Sequence, residues 1–407
     1  MNIRFIKQLK IPCRGLAQQL FILSCCALAS VPNASAGARE QAKRIHDRLA
    51  GVPPTEAVLL NMAADISTGD VSAAARTAMD NEAFYSVTLK DMVTPWTNRD
   101  QSVFEPLNDY TATVIGVVRD ELDFRRILWD DIVYMGDPAN QSLNLTAYAN
   151  NNNVHYEQFE SKGASFINDL VQRPQSQVTG MDATATAGVL TSRGAAKSFF
   201  VAGTNRAMFR FTLVNHLCRD LEQVHDTTGV PDRIRQDVTR SPGGDSRVFL
   251  NGCIGCHTGM DPLTQAFAYY NYADVDDNPD TDNGSLEYTA GTVQPKYLIN
   301  AANFSYGYVT PNDHWDNYWR KGPNVVLGWD AALTGSGDGA KSMGQELAHS
   351  EAFAQCQVTK VFRKVCLREP QNGLDRTKIS DMTTGFKSSN YNLKTVFADS
   401  AEYCMGD

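Results

Sequence analysis

One pentapeptide, Cys-Ile-Gly-Cys-His at residues 253–257, constrains the fold of this chain more than any other feature. Two thiols three positions apart match the separation of the two vinyl groups of a porphyrin, with which they can form thioether bonds. The histidine directly after the second cysteine is then placed beneath the iron. The motif therefore predicts one covalent haem c, attached at Cys253 and Cys256, with His257 as the proximal iron ligand.

Zinc, a redox dithiol and chance are the alternatives to haem at this motif. A structural zinc site needs four ligands, and the sequence contains no second Cys-x-x-Cys and no His-x-x-x-His. A thioredoxin-like dithiol is expected at a strand-to-helix turn, whereas the flanking sequence here is helical and polar. We therefore favour haem. Because the motif occurs once, the chain is expected to be monohaem, which excludes di-haem peroxidases and multihaem conduits.

The sixth iron ligand decides whether such a haem transfers electrons or binds a small molecule. We favour Met343, because it follows a glycine-rich loop that could lay a side chain over the haem face. His314 is the second choice, because it lies among aromatic residues. An open sixth position is the third possibility, and Met260, three residues after His257, is expected to pack on the proximal side. The remaining candidates are His349, Met382 and Met405.

The first 36 residues have the features of a secretory signal peptide. A basic leader without acidic residues precedes an apolar run that begins at Leu20, and small residues stand at Ala34 and Ala36. The apolar run is shorter than the roughly 20 residues that span a bilayer. We therefore expect cleavage after Ala36, a periplasmic or secreted protein, and no membrane span after cleavage. Lipidation at Cys25 is the weaker alternative.

The net charge argues against a nucleic-acid partner. The full chain carries a formal charge of −9, and loss of the leader's four basic residues lowers it to −13. Such a surface repels nucleic acid and attracts basic partners. We therefore expect a redox partner protein and no binding of nucleic acid.

Four cysteines remain once the leader and the Cys-x-x-Cys pair are set aside: Cys218, Cys356, Cys366 and Cys404. In an oxidising compartment an even number allows two disulfides. Cys356 and Cys366 lie ten residues apart on one expected helix, about 15 Å along its axis, which is too far for a disulfide. Each is expected to bridge elsewhere, with Cys218 and Cys404 as the available partners.

Apolar residues at three- and four-residue spacing predict a mainly α fold. We expect a helical N-terminal region over 37–187 and, over 188–407, a helical haem-binding domain with long irregular loops. The stretch 108–136 carries helical spacing throughout, with Asn108 or Asp109 as its cap. A polar segment near Gly180 to Gly188 marks the boundary.

One acidic loop has the composition of a weak calcium site. Oxygen-bearing side chains alternate along it, as in loops that wrap Ca²⁺, but Gly284 stands at the wrong offset for an EF-hand. A solvated acidic loop is the favoured interpretation, and Ca²⁺ is the alternative. The residues concerned are Asp274, Asp276, Asn278, Asp280 and Asp282.

Several segments together resemble a known family. "GVLTSRG" (188–194), "TNRAMFRFTLVNHLC" (204–218) and "CIGCHTGMDPLTQAFAYYNY" (253–272) occur in that order. They are similar to the haem-binding cytochrome c-like modules of large planctomycete proteins, in which a GxLT segment precedes CxxCHxxMDP. The segment 350–370 is similar to their C-terminal helical module. The resemblance implies haem at Cys253, Cys256 and His257, and it says little about a substrate.

Three functions are compatible with these patterns. The first is an exported monohaem c-type cytochrome that exchanges electrons with a partner protein. The chain is long for a small carrier, so the second is a haem c enzyme of oxygenase or peroxidase type with an open sixth position. The third is a docking subunit of a redox complex, with the N-terminal region as its interface. We expect electron transfer rather than catalysis.

Overall fold

Polar side chains cap most of the long helices, and residues with left-handed backbone end several of them. The computed structural model describes residues 36–200, 203–273 and 282–406. Asn108 and Ser350 each accept a hydrogen bond from a backbone N–H in the first turn that follows. Gly51, with φ of 74°, ends the first helix. The α-helices are α1 Ala38–Ala50, α2 Glu56–Ser67, α3 Val71–Met79, α4 Lys90–Val93, α5 Asp109–Arg119, α6 Val154–Ser161, α7 Gln175–Thr179, α8 Arg193–Phe199, α9 Arg206–Thr212, α10 Ser246–Val248, α11 Ile254–Thr264, α12 Gly339–Ala348, α13 Glu351–Cys366, α14 Gly373–Ser388 and α15 Leu393–Cys404.

The strands form three small antiparallel pairs among these helices. They are β1 Val133–Gly136 with β2 Leu170–Arg173, β3 Tyr270–Ala273 with β4 Ser285–Tyr288, and β5 His314–Asp316 with β6 Ser336–Asp338. Each pair is isolated from the others in the described residues. Helices dominate the architecture, so the prediction of a mainly α fold is confirmed.

The hydrophobic core joins the two ends of the described chain. Helices α13 and α15 pack against each other, and both contact α1. Helix α15 also packs on α3. The rings of Phe84 and Phe397 meet edge to face with centroids 5.0 Å apart. One buried cluster therefore contains residues from both sides of the predicted boundary at Gly188, and the two predicted regions share it.

The helical spacing over 108–136 predicted a helix along the whole stretch, and this is correct only for its first third. Asn108 caps α5 as expected, but α5 ends at Arg119, so the prediction of helical structure beyond it was wrong in detail. Glu121 adopts a positive φ of 53°, a conformation that does not continue an α-helix. A 3₁₀ turn, Phe124–Leu128, follows, and the chain then enters β1, which pairs with β2.

The four remaining cysteines form two pairs in the structure. Cys356 and Cys366 both lie on α13, and each has a partner elsewhere. Cys218 is bonded to Cys356 with a Cα–Cα separation of 5.2 Å, and Cys366 to Cys404 with 5.4 Å. These separations are usual for disulfides. The first bond fastens α13 to the segment that follows α9, and the second fastens it to α15.

Almost all of the predicted signal peptide lies outside the described residues, which begin at Ala36, directly before the expected cleavage point. Among the helices that the structure does describe, none combines the length and the apolar character needed to cross a membrane.

Candidate functional site

The Cys-x-x-Cys-His motif lies in a continuous helical segment. Helix α10 leads into a π-helical turn, Phe249–Cys253, and the chain continues as α11. A π turn inside an α-helix is frequently found at functional sites. The motif is therefore not at a strand-to-helix turn, which is the position that a thioredoxin-like dithiol requires.

The motif side chains lie on a partly exposed face of this helix. Cys253, Cys256 and His257 are each of intermediate burial. Leu250, which precedes Cys253 by three positions, is 54% exposed. Spacings of three and four place Leu250, Cys253 and His257 along one face. The helix thus presents two thiols, an imidazole and an exposed apolar side chain together.

The opposite face of the helix is packed closely against the protein. A Cβ atom on Gly259 would overlap the indole of Trp319, and one on Gly255 would overlap the imidazole of His225. His225 Nε2 also lies 2.9 Å from the carbonyl oxygen of Gly252. These two glycines permit close approach, which fixes the helix and the direction in which the motif faces.

Neither motif cysteine is in a disulfide. Cys256 Sγ lies 3.6 Å from the carbonyl oxygen of Leu221 and donates to it. Burial, with smaller contributions from Cys253 and the nearby acidic side chains Glu222 and Asp220, raises the pKa of the Cys256 thiol. A redox dithiol is usually activated by a lowered pKa, so the environment of Cys256 does not favour that alternative.

A zinc site receives no support from the neighbourhood of the motif. Across the part of the chain that the structure describes, no group of three or more His, Cys, Asp or Glu side chains is arranged to hold a metal ion. A structural zinc ion needs four such ligands.

His257 is oriented by a buried carboxylate one helical turn away. Its Nδ1 lies 3.1 Å from Oδ1 of Asp261, whose side chain is fully buried. Because a carboxylate only accepts hydrogen bonds, this contact assigns the proton of a neutral imidazole to Nδ1. Nε2 then keeps its lone pair. Histidines that bind metals usually donate their other ring N–H to a carboxylate or carbonyl in this way.

Asp261 belongs to a network of four charged side chains. Arg206 donates to both of its carboxylate oxygens, at 2.7 and 3.0 Å, and also binds Asp237. The backbone N–H of Arg235 donates to Asp261 at 3.3 Å, and the guanidinium of Arg235 lies 3.9 Å away. Burial alone would raise the pKa of Asp261, but Arg206, Arg235 and His257 hold it well below its usual range. Two arginines balance two carboxylates, so a neutral His257 leaves no net charge buried.

Sequence reasoning assigned no role to these supporting residues. Asp261 was detectable, because position i+4 on a helix faces position i. Arg206 is 55 residues from Asp261, and Asp237 is 31 residues from Arg206. No local pattern reports contacts of that separation.

Met343, the favoured sixth ligand, is fully buried in the main hydrophobic cluster. Its helix, α12, packs against the 3₁₀ turn Phe124–Leu128 and against the turn Gln265–Phe267 that follows α11. Nothing in these contacts tests the assignment, which stays a prediction. Met260 is also buried in the main cluster, as a packing residue would be.

The histidine and methionine alternatives have partners of their own. His314 Nδ1 lies 2.9 Å from Oδ1 of Asp338, and its strand, β5, packs against α11. His349 Nδ1 lies 2.8 Å from the carbonyl oxygen of Gln345. The buried Met382 accepts a hydrogen bond from Ser400 at 3.4 Å, and the carbonyl oxygen of Met405 accepts one from a neighbouring arginine.

Most of the suggested calcium loop lies outside the described residues, namely Asp274, Asp276, Asn278 and Asp280. Asp282 is described, and its carboxylate binds the guanidinium of Arg193 and lies 3.2 Å from the ammonium of Lys197. A carboxylate that two cations already neutralise is a poor calcium ligand. Calcium binding stays a prediction.

Comparisons with known proteins found no relative. No family model matches the chain, and neither the curated proteins nor the solved structures include a significant match. The resemblance to planctomycete-type haem modules therefore stays a prediction that depends on the sequence segments quoted for it.

Proposed function

We propose that the chain is an exported monohaem c-type cytochrome that transfers electrons. Haem c is tethered by Cys253 and Cys256, and His257 Nε2 is the proximal iron ligand. One observation carries this proposal. The contact between His257 Nδ1 and Asp261 leaves the Nε2 lone pair available on a partly exposed helical face, beside two thiols that form no disulfide.

The neighbouring residues have defined tasks in this proposal. When bound, haem c supplies an iron centre that gains and loses one electron. Asp261 keeps the His257 ring in the tautomer that ligates through Nε2 and increases its basicity. Arg206 and Arg235 neutralise the buried carboxylates. Leu250, which is 54% exposed on the same face as Cys253, would give the porphyrin an apolar side chain to cover.

The exposure of the motif supports exchange of electrons with a protein partner. A group held on this face would be accessible to a second protein, because the side chains of the motif are partly exposed. The negative net charge of the chain favours encounter with a partner that presents a basic surface.

The test is production of the mature protein in a host that has haem-maturation machinery. We expect a Soret band, a pyridine haemochrome spectrum of c type and a gain in mass of one haem. The double variant Cys253→Ser/Cys256→Ser is expected to lack all three. His257→Gln should keep the covalent haem but change its axial-ligand spectrum, whereas His46→Gln, at a buried histidine of α1 that is hydrogen-bonded to the carbonyl oxygen of Val52, should not. A wild-type protein without haem contradicts the proposal.

The alternative is a haem enzyme with an open sixth position. Met343 is fully buried among core residues, and the sixth position stays open if this side chain keeps its core packing. Binding of carbon monoxide to the reduced protein separates the two functions. The carrier predicts that Met343→Ala accelerates binding while Met382→Ala, a second buried methionine on a helix, does not. Rapid binding to the wild-type protein instead supports the enzyme.

A further inference from the structure

One cavity of the protein has none of the motif residues in its lining. It has a volume of about 600 Å³ and lies between the segment that follows α9 and one side of α13. The Cys218–Cys356 disulfide and Leu217 contribute to its apolar lining, and Lys360, Arg219 and Arg363 supply positive charge. We call this cavity the basic pocket. Its volume is in the range of small-ligand sites.

The basic pocket has cations without matching anions. Arg363 is paired with Glu369 at 2.6 Å. The acidic lining residue, Asp220, is paired at 2.6 Å with Arg210, outside the pocket. Within the described residues, Lys360 and Arg219 form no ion pair with any carboxylate. This excess of positive charge stands out on a chain whose formal net charge is −9.

Lys360 lacks hydrogen-bond acceptors as well as a counter-ion. Its ammonium lies 4.1 Å from the centroid of the Trp96 ring, a cation–π contact. None of the described residues accepts a hydrogen bond from it. Burial, and the neighbouring Arg363, lower its pKa to about 7. An ammonium group has three donors, so an acceptor placed in the pocket satisfies groups that the protein itself leaves free.

The lining also indicates what a ligand of this pocket would need besides a hydrogen-bond acceptor. Leu217 and Val214 on the π-helical turn, Ala352 on α13 and the Cys218–Cys356 disulfide also line the pocket, so apolar surface lies beside the cations. A small inorganic anion would leave this apolar surface uncovered. An organic acid with an apolar body would bury it.

We propose that the basic pocket binds a small organic carboxylate. Its acid group lies between Lys360 and Arg219, and its apolar part lies against Leu217 and the Cys218–Cys356 disulfide. The site is distinct from the haem-attachment motif, although the two are neighbours. The 3₁₀ turn Leu221–Val224 separates them, since Leu221 accepts from Cys256.

The test uses benzoate as the probe and calorimetric titration of the full-length mature protein. We expect benzoate to bind at millimolar concentration or below, and Lys360→Met to weaken it roughly tenfold or more, because a hydrogen bond to a charged group contributes about 1.5 to 3 kcal/mol. Lys378→Met is the control, because Lys378 also lies near an aromatic ring, 6.0 Å from the Tyr403 centroid, but outside the pocket.

Two further titrations make the result decisive. Benzyl alcohol, a neutral molecule of similar shape, should not bind detectably, and inorganic phosphate should bind more weakly than benzoate. Should Lys360→Met fail to fold, Arg219→Gln takes its place with the same expected loss. The proposal is overturned if the wild-type protein does not bind benzoate, or if folded pocket variants bind it as the wild type does.

Discussion

At the scale of single residues, Asp261 connects the stability of the site to its chemistry. Its carboxylate is fully buried and receives hydrogen bonds from Arg206 and from the backbone of Arg235 while it contacts His257. A buried ion pair that loses one partner leaves an uncompensated charge. In the proposed haem site, the same negative charge beside His257 would stabilise the oxidised metal.

Asp261→Asn is therefore expected to have two effects. It should lower the free energy of unfolding by about 3 to 5 kcal/mol, and it should raise the midpoint potential of the proposed haem. Denaturant titration and redox titration measure these effects. Asp245→Asn is the control, because Asp245 lies at the start of the same helical segment but pairs only with the exposed Arg247. Equal behaviour of the two variants would contradict the role of Asp261.

Lys360 gives a prediction about pH. Burial lowers the pKa of Lys360 to about 7, against about 10.4 in an unfolded chain. Between about pH 7 and about pH 10, Lys360 therefore binds more protons in the unfolded state than in the folded state. Its contribution makes the free energy of unfolding increase with pH over this range, from about 7 to about 10. The charged and titratable groups around it are Arg363 on its own helix, Arg219 and Asp220 across the pocket, and the buried His216. Lys360→Met should flatten this increase, measured by thermal unfolding across the pH series. An unchanged slope would refute the assignment.

At the scale of elements, α11 can pack against Trp319 because Gly259 has no side chain. A Cβ at Gly259 would overlap the indole, whereas nothing lies within 4 Å of a Cβ at Gly252, earlier in the same helical segment. Gly259→Ala should destabilise the protein by about 1 to 3 kcal/mol through overpacking. Gly252→Ala should be neutral or stabilising, because alanine favours helix by roughly 1 kcal/mol. Denaturant unfolding compares the two, and the account fails if Gly259→Ala is harmless.

The elements also show what the sequence could predict. Helix α5 and its Asn108 cap follow from local pattern, and so does the helical setting of residues 253–257. The end of α5 and the strand β1 do not, because β1 is stabilised by pairing with β2, about 40 residues later. The residues of the candidate site show the same difference between local and long-range contacts. His257 and its neighbour Asp261 lie within one helical turn, whereas Arg206 and Asp237 reach the site through tertiary folding.

At the scale of the whole molecule, the shared core predicts cooperative folding. Helices α13 and α15 bury residues such as Val361 and Phe397 in the same cluster as Ile45 of α1 and Ala75 of α3. A shortened chain of residues 188–407 would expose that surface to water, at about 25 cal/mol for each Å² of apolar area. We expect it not to fold alone, and the full chain to unfold in one transition. Circular dichroism and intrinsic fluorescence should give coincident curves, and a stably folded 188–407 fragment would contradict this prediction.

The most direct test of the central claim is the mass of one proteolytic fragment from the exported protein. Trypsin releases residues 248–296 between Arg247 and Lys296, and this fragment contains Cys253, Cys256 and His257. The account predicts that the fragment carries the added mass of one haem and absorbs in the Soret region. A fragment with only the mass of its amino acids, from a host that matures other c-type cytochromes, would contradict it.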